Sequence, residues 1–246
     1  MQAVILCGGK GTRLSTLFAD RPKILVPIAG RPFLTWQLEW LAHGGVTDVH
    51  LAAGHLADVL RDWIEKNSCG LRITISVEPA PLGTGGGLKF IEPQLASDPF
   101  LVLNGDSLMP RLAFQALEKA HAAFSPSTSL GTGKHWKTAG CATLAVTRIA
   151  EAGRYGTVEF DAAHRITAFR EKASRSEGFI NGGVYLMDRS LLGAIEAGKN
   201  ISIETDTFPA LAAAGRLQAV EFPQPLLDMG TPEGILAMET FLAQHT

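Results

Sequence analysis

The chain has 246 residues, 46% hydrophobic and 19% charged, with 26 Gly and 13 Pro, and its 22 basic and 24 acidic side chains leave a net charge of −2. That length gives one large domain, or at most two small ones, with a core that needs no staples, and the near-neutral balance argues against a broad basic surface for duplex nucleic acid. No apolar run approaches the ~20 residues of a membrane span, no basic-then-apolar leader opens the chain, and Cys7, Cys69 and Cys141 are too few and too scattered for a disulfide framework or a zinc site, so a cytoplasmic, reducing setting is expected.

Short apolar runs alternate with helical patterns. Ala3 to Cys7 is apolar, stops at Gly8-Gly9 and reads as a buried strand. Leu34, Leu38 and Leu41 recur at helical spacing after Pro32, and Val46 to Ala53 reads as a second strand. Leu56, Val59, Leu60, Trp63 and Ile64 fit an amphipathic helix. Leu71, Ile73, Ile75 and Val77 alternate as in a strand with one polar face, Phe100 to Leu103 ends at Asn104-Gly105-Asp106, and Arg111 to Ala123 is helical. Ser125 to Gly140, rich in Ser, Thr and Gly, lacks periodicity and reads as a long loop. Strand patterns then crowd together: Cys141 to Thr147, Tyr155 to Phe160, Arg165 to Phe169 and Gly183 to Met187, with a hairpin turn over Asp161 to His164. Ser190 to Ala197 and Thr207 to Ala214 are helical, Leu217 to Phe222 is a strand, and Thr231-Pro232 is an N-cap and first residue for a last helix.

Strands separated by helices predict βαβ units and a mostly parallel sheet covered on both faces. Ligands of such sheets bind beyond the carboxyl ends of the strands, so Gly8-Gly9 and Asn104-Gly105-Asp106 are expected to face one cleft. The first of these turns continues as Lys10-Gly11-Thr12-Arg13-Leu14, with Arg21-Pro22-Lys23 beyond. Glycines let backbone N–H groups close on phosphate oxygens. Arg13 offers a planar fork and Lys23 a point charge for the same anion. The spacing is neither the Walker nor the dinucleotide pattern. A second glycine-rich stretch, Gly83 to Gly87, enters an apparent helix and suggests close approach to a ligand. Asp106 and Asp228 each follow an apolar segment. The histidines show no metal-ligand spacing and read as surface or core polar residues, and Cys7 reads as a small buried side chain.

With these residues in hand, the chain resembles the sugar-phosphate nucleotidyltransferases. Gly8 to Leu14 with Arg21 to Lys23 is similar to the family signature G-G-x-G-T-R-L…x-P-K. Pro81 to Gly86 resembles its second nucleotide loop and Asn104-Gly105-Asp106 its metal loop, and Glu171-Lys172, Asn181-Gly182-Gly183 and Asp228 to Thr231 follow its later motifs in order. The resemblance implies an α/β, Rossmann-like fold with a central, mostly parallel mixed sheet flanked by helices and a strand-rich, sugar-binding second half. It implies a single domain over 1–246, with a nucleotide part at about 1–124 and a sugar-phosphate part at about 141–246. The implied partners are a nucleoside triphosphate and a sugar 1-phosphate, with Mg²⁺ as cofactor. Arg13 and Lys23 would be catalytic. Leu6, Gly8, Gly9, Gly11, Thr12, Glu78, Gly83, Thr84 and Asp106 would bind the nucleotide. Gly156, Lys172, Asn181 and Glu204 would bind the sugar phosphate, and Asp106 and Asp228 the metal. Gly30 to Phe33 and the short length resemble the heptose 1-phosphate guanylyltransferases. Uridylyltransferases of N-acetylmuramate 1-phosphate are the alternative, and a non-catalytic sugar-nucleotide sensor is a further one.

The chemistry fits the residue types. The phosphate nucleophile is already anionic near neutral pH and needs no general base; the difficulty is bringing two polyanions together in line, which takes cations and amide hydrogens. Glu78 bears on base choice. A carboxylate only accepts hydrogen bonds. Guanine presents two donors, N1–H and N2–H₂, side by side, whereas uracil presents N3–H alone, so GTP is favoured.

Overall fold

The first half of the chain lays down a parallel sheet, and the second half extends it in mixed sense. The computed structural model describes residues 1–9, 18, 20–67, 69–124, 140–150, 157–170 and 177–245. In chain order the elements are β1 (Gln2–Cys7), β2 (Pro27–Ile28), β3 (Arg31–Pro32), α1 (Phe33–His43), β4 (Asp48–Ala53), α2 (Ala57–Ile64), β5 (Arg72–Val77), α3 (Gly83–Ile91), β6 (Phe100–Asn104), β7 (Ser107–Leu108) and α4 (Phe114–Ala123). The second half adds β8 (Ala142–Ile149), β9 (Thr157–Phe160), β10 (Ile166–Arg170), β11 (Gly178–Met187), α5 (Phe208–Ala213), β12 (Leu217–Glu221), β13 (Leu227–Asp228) and α6 (Pro232–His245).

The main sheet has the order β10-β9-β11-β6-β1-β4-β5, with β8 pairing β11 and β12 pairing β8. β1, β4, β5 and β6 are mutually parallel. β11 is antiparallel to β6, and both β8 and β9 are antiparallel to β11, which returns them to the first direction. β12 follows β8, and β10 opposes β9. Among the described strands of this sheet β10 and β11 alone run against the others, which is the mixed, mostly parallel sheet expected.

The alternation of strand side chains explains why these runs are apolar throughout. Ala3 and Ile5 of β1, with Leu101 and Leu103 of β6, face one buried layer together with Phe33, Leu34, Leu38 and Leu41 of α1. Val4, Phe100 and Val102 face the other, with Leu88 and Ile91 of α3 and Phe208 and Leu211 around α5. A strand covered on both faces has no polar side to show. β5 lies at the edge, and its exposed Arg72 and Thr74 are the polar face that the sequence alternation predicts.

Local signals place the ends. Thr231 Oγ1 accepts from the Gly234 N–H at 3.1 Å and caps α6. The Asp161 to His164 hairpin is held by the Asp161 carboxylate, which accepts from the Ala163 and Arg165 N–H groups, each at 2.9 Å. Two expectations shift: α4 starts at Phe114 rather than Arg111, and the helix expected over Ser190 to Ala197 is a 3₁₀ segment over Arg189–Ala194. Gly83 to Gly87, expected to enter a helix, is the first half of α3. Of the stretch Ser125 to Gly140, only Gly140 lies within the described residues.

Candidate active site

The carboxyl ends of β1, β4, β5 and β6 converge on a cavity of about 470 Å³. β1 contributes Leu6, Cys7, Gly8 and Gly9, β4 Ala52, β5 the following residue Glu78, and β6 Asn104 with Gly105 and Asp106. Lys23, Gly83 and Thr84 also line it, as do Pro81 and Gly230 from the quoted motifs, whereas Asn181, Glu204 and Asp228 do not; Ile24 and Asn200 line the cavity without having been singled out in the sequence. The two turns expected to share a cleft do so, because their strands are neighbours in register, Leu6 opposite Asn104.

Asp106 is fixed from several sides. The Gly105 N–H donates to Leu6 O at 3.0 Å, and the Met229 N–H donates to Asp106 O at 2.9 Å. Lys23 Nζ lies 2.6 Å from Asp106 Oδ2, and Ser107 Oγ donates to Oδ1 at 3.2 Å. The Lys23 side chain is 17% exposed and that of Asp106 35%, so the pair sits at the cavity wall, screened less than a surface bridge. β7 and β13 form a small antiparallel ribbon that sets Asp228 opposite Ser107. Asp106 immediately precedes β7 and Asp228 ends β13, so the two aspartates expected as metal ligands lie at one end of this ribbon, and Asp228, which does not itself line the cavity, accepts through Oδ1 from the Gly230 N–H at 2.7 Å. Hard oxygen donors of this kind, few in number, suit a magnesium ion that keeps most of its water.

Glu78 extends from the end of β5 into the cavity. Its Oε2 accepts from the Leu82 N–H at 3.1 Å. A Cβ at Gly87 would come within 2.6 Å of Oε1, so glycine at the second turn of α3 makes room for the carboxylate. Burial pushes the Glu78 carboxyl above its ordinary range, against the opposing pull of the Leu82 hydrogen bond. Next to it, burial first and the Glu78 charge second push the Cys7 thiol up to about 12, and Cys7 Sγ donates to Ala52 O at 3.3 Å. Cys7 is thus a packed side chain and not a nucleophile. Cys141 is held in the same way, up to about 12, by burial and by Asp188. At the opposite end of the sheet, Asp188 accepts from the Cys141 N–H at 2.7 Å and pairs with His121 Nε2 at 3.2 Å, while His121 Nδ1 meets Thr143 Oγ1 at 2.8 Å. This buried network satisfies its own groups and makes His121 the core polar residue expected. Iodoacetamide at pH 8 is expected to leave Cys7 and Cys141 unlabelled in the folded protein and to label both after denaturation, read by mass spectrometry.

The first turn of α3 is built against the segment 199–206. Gly83 has φ of +71°, and a Cβ there would meet Ile201 O at 2.5 Å. Ile201 and Leu82 exchange backbone hydrogen bonds with this turn, Ile201 N to Leu82 O at 2.8 Å and Gly85 N to Ile201 O at 2.8 Å. The glycines answer to a neighbouring protein backbone. Thr84 Oγ1 donates to Glu204 Oε2 at 2.7 Å and accepts from the Ile203 N–H at 2.8 Å. Ser202 Oγ also donates to Glu204 Oε2, at 3.0 Å. Glu204 is thereby set on Thr84, against the first turn of α3. Thr84→Val is expected to strand the Ile203 N–H and one Glu204 interaction, at about 1–3 kcal/mol, and to lower the melting temperature by several degrees, as measured by calorimetry.

Asn181 sits in a bulge of β11, where the register shifts before Tyr185 and Gly183 takes φ of +72°. Its Oδ1 accepts from the Gly183 N–H and its Nδ2 donates to Tyr185 Oη, each at 2.9 Å. Gly11, Thr12, Arg13, Gly156 and Lys172 lie outside the described residues.

Comparison with known proteins follows this geometry. A family model described as nucleotidyl transferase matches residues 2–245. A mannose-1-phosphate guanyltransferase of Aspergillus oryzae is 37% identical over 244 residues, covering 96% of this chain, and the chain spans 63% of that relative's length. A D-glycero-alpha-D-manno-heptose 1-phosphate guanylyltransferase of Campylobacter jejuni is 31% identical over 236 residues, covering 95% of this chain and 96% of the relative. Among solved structures, HddC from Yersinia pseudotuberculosis, also solved in complex with GMP-PN, superposes with a TM-score of 0.83 at 26% identity over 98% of this chain and 99% of that one. The strand order, the cavity at the strand ends and these matches agree, and the chain belongs to the nucleotidyl transferase family.

Proposed function

We propose that the chain transfers the nucleotidyl group of a nucleoside triphosphate, with GTP preferred, to a sugar 1-phosphate, forming a nucleotide sugar and releasing pyrophosphate. The observation that carries the proposal is the cavity itself: one space lined by Gly8, Gly9, Glu78, Gly83, Thr84 and Asp106, with Lys23 at its wall. In this reading residues 1–124 hold the nucleotide and 141–246 the sugar phosphate. Lys23 and Arg13 contact the triphosphate and offset the charge of the leaving pyrophosphate. Backbone N–H groups of the first turn, from Leu6 through Gly8 and Gly9 to Gly11 and Thr12, cradle its oxygens. Glu78 reads the base, with Gly83 and Thr84 beside it. Lys172, Gly156 and Asn181 hold the sugar phosphate, and Glu204 supports this side through Thr84. Asp106 and Asp228 would hold Mg²⁺, which supplies charge neutralisation between the two phosphates.

The sugar we favour is a heptose 1-phosphate. The Campylobacter relative named for that substrate matches over 96% of its length, and HddC superposes along almost all of both chains. Mannose 1-phosphate is the second reading, favoured by the 37% identity to the Aspergillus relative. A matrix of the four triphosphates against heptose, mannose and N-acetylmuramate 1-phosphates, read by pyrophosphate release with Mg²⁺, tests both. Turnover with GTP and a heptose or mannose 1-phosphate is expected. Preference for UTP would overturn the guanine assignment, and no release with any pair would overturn the activity.

A further inference from the structure

The residue that brackets Asp106 from below lies in α1. Gln37 is fully buried, 0% exposed, in a helix face whose neighbours Phe33, Leu34, Leu38 and Leu41 are core residues. A hydrophobic side chain is what packing alone would place there. The Gln37 amide donates to two backbone carbonyls, Asn104 O at 3.0 Å and Ser107 O at 2.9 Å. Both partners are pure acceptors, so the nitrogen must face them, and both of its hydrogens are used. The two carbonyls lie on either side of Gly105-Asp106. The other end of the amide, Oε1, is buried with no hydrogen-bond partner among the described residues. A desolvated, unpaired acceptor is unfavourable, so packing alone does not account for the glutamine. What it provides is a two-point clamp on the turn that carries Asp106, added to the Leu6 and Met229 backbone contacts.

We infer that Gln37 is a positioning residue for the Asp106 carboxylate: by holding the Asn104 and Ser107 carbonyls from within the core, it sets where Asp106 meets the divalent cation. The inference rests on the proposed reading of Asp106 as a metal-facing carboxylate. Gln37 is not among the residues that line the cavity and acts only through the turn.

The test uses the full chain with Gln37→Met, which keeps length and volume and removes both donors. Gln37→Asn, which keeps the amide one methylene short, serves where the first variant does not fold. Mn²⁺ binding, read by electron paramagnetic resonance in the presence of GTP, is compared with the Mg²⁺ activation constant for pyrophosphate release. Loss of a second layer of support weakens metal binding or activity by about 10- to 100-fold. The expected result is a Mn²⁺ affinity at least about 10-fold weaker, with circular dichroism unchanged. In the Asp106→Asn background the same Gln37 change is expected to have no further effect on metal affinity, since the two act as one unit. Equal Mn²⁺ affinity in the wild type and Gln37→Met, or an undiminished loss in the Asp106→Asn background, overturns the inference. Absence of turnover in the wild type with every substrate pair strikes the proposed function instead, and the manganese titration still decides on Gln37.

Discussion

Asp106→Asn is expected to lower kcat/KM for pyrophosphate release by about 10²- to 10³-fold, the magnitude typical of removing one preorganised electrostatic group at a reacting centre. The asparagine keeps the shape but has one acceptor oxygen, so it can accept from Lys23 or from Ser107, which meet the two oxygens of the wild-type carboxylate at 2.6 and 3.2 Å. What it loses is the negative charge at the carboxylate nearest both Lys23 and the Asp228 ribbon. The turn itself is held through its backbone by hydrogen bonds from or to Leu6, Met229 and Gln37 that do not involve the 106 side chain. The melting temperature is therefore expected to move by no more than about 4 °C, corresponding to about 1 kcal/mol for a chain of this size. Steady-state assays across a Mg²⁺ titration separate the outcomes. A fall in turnover that excess Mg²⁺ does not restore, in a protein that melts normally, supports the role. A variant with unchanged turnover would remove Asp106 from the site.

The elements that sequence reading placed well are those whose pattern is dictated by burial on two faces. β1 and β6 are continuous apolar runs because Ile5 and Val4, or Leu103 and Val102, enter opposite cores. The strand-end rule then puts Gly8, Glu78 and Asp106 in one cavity without further information. Gly83 to Gly87 is legible only in part. Glycine is a poor helix former, and its clustering at a helix start marks a close approach without naming the protein segment that makes it. The close approach of Ile201 and Glu78 to α3 overrides that propensity. The partner of Thr84 is 120 residues away at Glu204, and the segment carrying Asn200 has no periodicity to mark it. Gln37 has a different kind of invisibility. Its position follows helical spacing, and only the two carbonyls it meets, 67 and 70 residues on, give its polarity a purpose.

Glu78→Gln is expected to lower the preference for GTP over UTP by about 10- to 100-fold, the worth of one charge-assisted hydrogen bond together with the mismatch left behind. In the proposed reading the carboxylate accepts from both donors on the guanine edge. A glutamine accepts from one and presents its own N–H₂ to the other. Uracil, with a single donor on that edge, loses less. The same change is expected to stabilise the free protein. Burial raises the Glu78 pKa in the folded state, so between the ordinary carboxylate range and that raised value the folded protein binds more protons than the unfolded chain. Stability from this group is present in full at low pH and falls as pH rises through the raised pKa. Above it the buried charge is a standing cost that glutamine removes. Melting curves of the two proteins are expected to converge below pH 4 and to separate, with Glu78→Gln higher, toward pH 8. Wild-type affinity for GTP follows the opposite course, weakening as acid protonates the acceptor. A variant that melts lower at pH 8 while keeping its GTP preference would place Glu78 in the structural framework and leave guanine to be read by another group.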